Sequence, residues 1–175
     1  RDALRDRVER GVGVIEPERL RLMWIGNPPI VDFSLLDHPE SRGAVIAKSL
    51  LEILTGFTLD PELMDPDRPL ESLARAHMHR GDDAQQHTLE TPTHQGLIEY
   101  FVRTIRDYRI DGVISVVKRS CGFLPGSVRL SKDEILAKTG VPTILFNCEG
   151  SDDREYDGVA ARQHIDAFVD GLLAR

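Results

Sequence analysis

The chain is poor in cysteine, with only Cys121 and Cys148 in 175 residues. Two thiols do not make the disulfide framework that staples small secreted domains. They are also too few to hold an ordinary iron–sulfur cluster alone. Long apolar runs are missing as well. The longest stretches are broken by Lys48 and Glu52, or fall far short of the roughly 20 residues of a membrane span. No signal-peptide pattern opens the chain. Basic clusters are lacking in a sequence with 22 basic and 29 acidic residues and a formal charge of −7, which argues against a nucleic-acid surface. No Walker loop, GxGxxG, GxSxG or CxxC motif is present, nor any internal repeat, low-complexity tract or second-domain linker. What remains is a single α/β domain over 1–175, soluble and cytoplasmic, with no nucleic acid and no membrane among its partners.

What is present centres on residues 110–121. Val113, Ile114, Val116 and Val117 form a β-branched run too short for an ordinary helix, flanked by helical patterns on both sides. Such a run reads as a strand buried on both faces of a parallel sheet. Lys118, Arg119 and Ser120 end it, and Cys121 follows. The carboxyl ends of strands form the ligand-binding rim of an open α/β sheet, so Cys121 falls where chemistry is expected.

The rest of the chain fits around that strand. A charged helix opens it, and the first residue is Arg1 rather than Met, so a piece of something longer is one reading. Residues 20–25 predict a strand stopped by Gly26-Asn27-Pro28-Pro29. Ala44, Ala47, Leu50, Leu51 and Leu54 predict a helix over 41–54, with Gly56 past its end. A short strand at 57–59 and a helix over 69–79 follow. Residues 81–90 are polar, with little to bury, and read as a mobile or ligand-facing loop. Thr91 and Pro92 then start a helix whose apolar face is Leu97, Ile98, Phe101, Val102, Ile105 and Tyr108. Beyond Cys121, Ser131 and Glu134 have capping-box spacing and Gly140 ends that helix. Residues 141–146 form the next strand, and Ile165, Phe168, Val169 and Leu172 mark a closing helix. The alternation implies a doubly wound, mostly parallel sheet of Rossmann or flavodoxin type, with helices on both faces.

Cys121 reads either as a small buried residue or as a nucleophile or metal ligand. Lys118 and Arg119 would favour its thiolate, and Gly122 allows close approach. Cys148 ends the next strand and shares the rim if the two strands are neighbours. It lacks a nearby cation in sequence, so core packing is the better reading for it. Asn147, Glu149, Asp152, Asp153 and Arg154 form a polar loop without the alternating ligand spacing of a calcium site. A solvated loop with Arg154 paired to a carboxylate is the favoured account. His77 and His79 would not face each other on a helix. His38, His87, His94 and His164 are scattered.

Four segments carry a resemblance that covers most of the chain. Arg21-Leu22-Met23-Trp24-Ile25-Gly26-Asn27-Pro28-Pro29 resembles the Arg-Leu-x-Trp-x-Gly-x-Pro segment of the 2-hydroxyacyl-CoA dehydratase and benzoyl-CoA reductase family. Asp111-Gly112-Val113-Ile114 leading to Ser120-Cys121 is similar to its Asp-Gly-Val-Ile…Ser-Cys stretch. Gly140-Val141-Pro142-Thr143 with Glu149, Asp152 and Arg154 resembles its Gly-Ile-Pro-Thr…Asp-x-x-Asp-x-Arg segment, and Ile165-Asp166-Ala167-Phe168 its closing Arg-Ile-Glu-Ala-Phe. Departures are His164 for the closing arginine, Asn147 for an acidic residue, and Gly122-Phe123-Leu124-Pro125-Gly126 for a Lys-Pro-Tyr-Ser run.

The resemblance implies the carboxyl-terminal half of a subunit that pairs with a second homologous subunit as a heterodimer. It implies a [4Fe-4S] cluster in which Cys121 is the ligand from this half and the other ligands lie outside this segment. An ATP-hydrolysing iron–sulfur activator would supply one low-potential electron, and an acyl-CoA thioester would pass through a ketyl radical that expels its 2-hydroxyl as water. Lys118, Arg119, Ser120, Cys148 and Glu149 would be rim contacts. A benzoyl-CoA reductase-type subunit is the neighbouring alternative. A non-catalytic flavodoxin-like binding module, its cysteines unmetallated, is the alternative from a different class.

Overall fold

The computed structural model describes residues 2–49, 64–78, 94–118 and 125–175, and the side chains of all of these except 76–78 and 125–128. Among the described residues the strands are β1 (Leu20–Ile25), β2 (Ala44–Ser49), β3 (Gly112–Val117) and β4 (Thr143–Asn147). Every pairing is parallel, in the order β2-β1-β3-β4. The helices are α1 (Asp2–Glu9), the single turn α2 (Ser34–Asp37) running into a 3₁₀ segment His38–Arg42, α3 (Pro69–Met78), α4 (His94–Asp107), α5 (Pro125–Thr139) and α6 (Gly158–Leu173). The chain is a doubly wound α/β domain of flavodoxin or Rossmann type.

The period-two alternation of the central strands explains the layers. Leu22 and Trp24 of β1, with Ile114 and Val116 of β3, point to one face and meet Leu35, Ala161, Ile165, Val169 and Leu172. Met23 and Ile25, with Val113 and Val117, point to the other and meet Ile98, Phe101, Ile105 and Ile135. All six residues of β3 are buried, as expected of a strand covered on both faces. Helix α4 presents the amphipathic stripe read from its sequence, with Ile98, Phe101 and Ile105 buried.

The Asp-Gly that precedes β3 is explained by packing. Asp111 Oδ2 accepts from the Arg21 backbone N–H at 2.8 Å, and the Asp111 N–H returns a bond to the Arg21 carbonyl. A Cβ on Gly112 would stand 2.6 Å from Leu172 Cδ1 and 3.0 Å from the Phe168 ring. Glycine there lets α6 lie close to the sheet.

Two expectations are corrected. The helix over 41–54 is instead strand β2 within its described part. Gly43, at φ 78°, closes the 3₁₀ segment, and Ala44, Val45 and Ile46 then pair with Leu20, Arg21 and Leu22. Helical spacing of alanines was outweighed by tertiary strand pairing. Leu50, Leu51 and Leu54 lie outside the described residues. Ser131 does not cap a helix, because α5 already begins at Pro125 and Ser131 is buried within it. The expected strand at 57–59, the loop at 81–90 and the Thr91-Pro92 start also lie outside the described residues. Among the described residues no helix is long and apolar enough to cross a membrane.

Candidate functional site at the carboxyl rim

The strand order reverses direction at β1. From it the chain winds to β2 on one side, then returns to β3 on the other. The crevice between the carboxyl ends of β1 and β3 is therefore the topological switch point, where doubly wound sheets bind ligands.

Three segments converge there. Leaving β1, Gly26 adopts φ +102°, and a Cβ on it would fall 2.5 Å from the Val116 carbonyl oxygen of β3. Only glycine permits so close a turn against the neighbouring strand. Pro28 and Pro29 carry the loop onward, and the N–H groups of Ile30 and Val31 donate to the Gly150 carbonyl at 2.7 and 3.3 Å. Gly150 follows β4, on the far side of β3, so the loops leaving β1 and β4 meet across the end of the strand between them. Pro29 is fully buried, and its Cα lies 2.2 Å from where a Gly150 Cβ would stand. From β3 itself, Lys118 Nζ donates to Ser151 Oγ at 2.7 Å.

Asp32 fastens this strap to α6. Its Oδ2 accepts from the Tyr156 hydroxyl at 2.8 Å and from Arg162 Nη2 at 2.7 Å. Its Oδ1 accepts from Ser34 Oγ at 2.5 Å. Hydrogen bonds from Ser34 and Tyr156, with Arg162 beside them, hold the Asp32 carboxyl down to about 2. Burial pushes the Tyr156 hydroxyl well above its ordinary range, and the Asp32 carboxylate adds to that rise. Asp157 caps α6 by accepting from the Ala160 N–H at 2.9 Å.

Cys148 is 6 % exposed in the core that α6 covers, and its N–H donates to the Val117 carbonyl. Strands β3 and β4 are indeed neighbours, so Cys148 stands at the rim beside the end of β3. Burial pushes the Cys148 thiol up, against the opposing effect of Lys118 and with the help of Glu149 and Asp32. The reading that it lacks a nearby cation is corrected: Lys118 comes from the adjacent strand end and is outweighed. A cavity of about 150 Å³ beside the thiol is lined by Asn147, Glu149, Glu155, Asp157 and His164. His164 stacks on Phe146 with ring centroids 5.3 Å apart.

Of the residues singled out from sequence, Lys118, Cys148 and Glu149 lie together on this rim. Arg119, Ser120 and Cys121 lie outside the described residues. Arg154 is paired with Asp152, by two bonds of 2.9 and 2.6 Å to its carboxylate, as the loop reading anticipates. His38 Nε2 lies 2.8 Å from Asp166 and His94 Nε2 lies 2.7 Å from Glu134, so both serve local pairing. Among the described residues no group of three or more His, Cys, Asp and Glu side chains could hold a metal ion.

Sequence reasoning missed the Asp32, Tyr156 and Arg162 clamp. Its members are separated by 124 and 130 positions, and no local pattern links them. A larger cleft of about 500 Å³, lined by Glu99, Arg103, Arg106, Asp107 and Lys138, lies at the opposite end of the sheet. Arg106 and Lys138 occupy the last turns of α4 and α5, where cations complement the carbonyl dipoles.

A parallel sheet whose winding switches direction at β1 defines a doubly wound α/β protein, a class in which ligands bind at the carboxyl ends of the strands. The family model described as 2-hydroxyglutaryl-CoA dehydratase, D-component, matches residues 1–172. The chain belongs to this family of dehydratase-type subunits. No curated protein matches it.

Proposed function

We propose that the chain is part of an iron–sulfur subunit of a 2-hydroxyacyl-CoA dehydratase, eliminating water from a 2-hydroxyacyl-CoA thioester. The observation that carries this reading is the family match over residues 1–172. The rim supports it, because the family's Gly-x-Pro motif forms the strap over the end of β3, the strand that leads to Cys121. In this proposal Cys121 is one ligand of a [4Fe-4S] cluster whose other ligands lie outside this segment. When bound, the cluster relays single electrons to the thioester.

The chain's own residues have simpler tasks. The strap and the Asp32 clamp fix the rim so that the thioester meets a preorganised surface. The Lys118 ammonium, anchored by Ser151, brings positive charge to the rim where Arg119, Ser120 and Cys121 follow. Cys148, buried and with its thiol pushed up, stays protonated and packs. A second homologous subunit and an ATP-hydrolysing iron–sulfur activator complete the proposed system. A ring-reducing subunit of benzoyl-CoA reductase type would share these parts; the dehydratase description of the matched family favours elimination.

Turnover tests this proposal. The full subunit, its partner, a reduced activator and ATP, handled without oxygen, should convert a 2-hydroxyacyl-CoA to the 2-enoyl-CoA, followed by mass spectrometry. Conversion that is absent with every 2-hydroxyacyl-CoA but present as ring reduction of benzoyl-CoA would replace the dehydratase reading with the reductase one.

A further inference from the structure

Lys118 stands apart from the other cations of the rim. Arg154 is paired with Asp152 at 2.6 Å and Arg162 with Asp32 at 2.7 Å. Lys118, partly buried at the end of β3, donates to the neutral hydroxyl of Ser151 at 2.7 Å. Among the described residues no carboxylate pairs with it. An ammonium carries three N–H donors, so donors remain for a ligand. A partly buried charge without a counter-charge is unfavourable, and an anion brought to it offsets that cost.

The ammonium is held in place by its surroundings. Ser151 follows Gly150, whose carbonyl accepts from the N–H groups of Ile30 and Val31 at 2.7 and 3.3 Å. Gly150 also packs on Pro29. The strap therefore fixes the hydroxyl, and the hydroxyl fixes the ammonium. Burial raises the Cys148 thiol, and Lys118 opposes that rise from the adjacent strand end, so its charge acts across the rim. A lysine already held loses less side-chain freedom when it receives a ligand. Strand β3 borders the switch point, where ligands of doubly wound sheets bind.

We infer that Lys118, oriented by Ser151, binds an oxyanion of the bound thioester, a carboxylate or a phosphate. Lys118 touches the ligand, and Ser151 is a positioning residue. The inference rests on the proposed acyl-CoA function and names the ligand group that this rim holds. Two parts of such a ligand supply the chemistry: a carboxylate at the end of the acyl chain, or the phosphates of CoA.

Equilibrium binding to the full subunit in complex with its partner tests it, with glutaryl-CoA and butyryl-CoA as probes. Lys118→Met should weaken glutaryl-CoA by at least ~10-fold, the loss expected of a charge-assisted bond. Ser151→Ala should weaken it by about 3-fold, and Ser151→Thr, which keeps the hydroxyl, should restore it. If a phosphate is the ligand, Lys118→Met weakens both probes equally. If the acyl carboxylate is the ligand, it weakens glutaryl-CoA alone. Wild-type binding that Lys118→Met leaves unchanged with both probes would overturn the inference and leave the acyl-CoA reading intact. If neither probe binds the wild type, the acyl-CoA reading itself fails, and the inference with it. Should Lys118→Met not fold, the serine pair decides: a loss in Ser151→Ala that Ser151→Thr restores supports the inference, and no loss overturns it.

Discussion

Asp32 and Arg162, 130 positions apart, meet with 2.7 Å between Oδ2 and Nη2. Their ion pair, with the Tyr156 hydroxyl on the same oxygen, ties the loop after β1 to the first turns of α6. Asp32→Asn removes the charge and keeps the shape. It should destabilise the domain by about 1–2 kcal/mol, the range for a partly exposed charge-assisted network. Urea unfolding of the two proteins measures this.

The same carboxylate sets a pH dependence. Its folded value of about 2 lies below the ordinary 3.8. A depressed carboxyl contributes stability that is fully present above the unfolded value and is lost as pH falls through the folded one. Wild type should therefore lose this contribution between about pH 4 and pH 2. Asp32→Asn should show a shallower stability profile across that window, followed by urea midpoints at successive pH values.

Glycine replacements separate close approach from backbone strain. Gly150→Ala places a methyl 2.2 Å from Pro29 Cα, so the strap must shift. A loss on the order of 2–3 kcal/mol is expected for that overpacking. Gly140, at φ +74°, has nothing within 4 Å of an added Cβ. Gly140→Ala should cost only about 1 kcal/mol, the strain of the left-handed conformation. Paired unfolding curves compare the two.

Cys148 should behave as a protected thiol. Burial raises its proton affinity, and the thiolate is the reactive form. In Cys121→Ser, where it is the remaining cysteine of these 175 residues, iodoacetamide should label it markedly more slowly in the native protein than in urea. Mass spectrometry of timed samples gives both rates. Equal rates would place the thiol in solvent rather than in the core.

Much of the fold was legible in the sequence because local and tertiary preferences agree there. The β-branched run of β3 and the amphipathic stripe of α4 each encode both their own conformation and their burial. Strand β2 was not, because its alanines fit a helix locally and pair with β1 only through long-range contact. At the site, strand-end positions were readable from the α/β pattern, which put Lys118, Cys148 and Glu149 on one rim. The strap's course over β3 was not. It depends on Gly150, Tyr156 and Arg162 arriving from the far end of the chain, and neither spacing nor composition signals that meeting.

In the proposed function Cys121 binds a cluster in the assembled subunit. Iron and sulfide analysis with EPR, on the full chain and its partner purified without oxygen, tests it most directly. Wild type should contain about four irons per subunit, and Cys121→Ser should lose iron or show altered spectra. An iron-free wild type, or a variant with an unchanged cluster, would contradict the assignment of Cys121 and favour a binding module without metal.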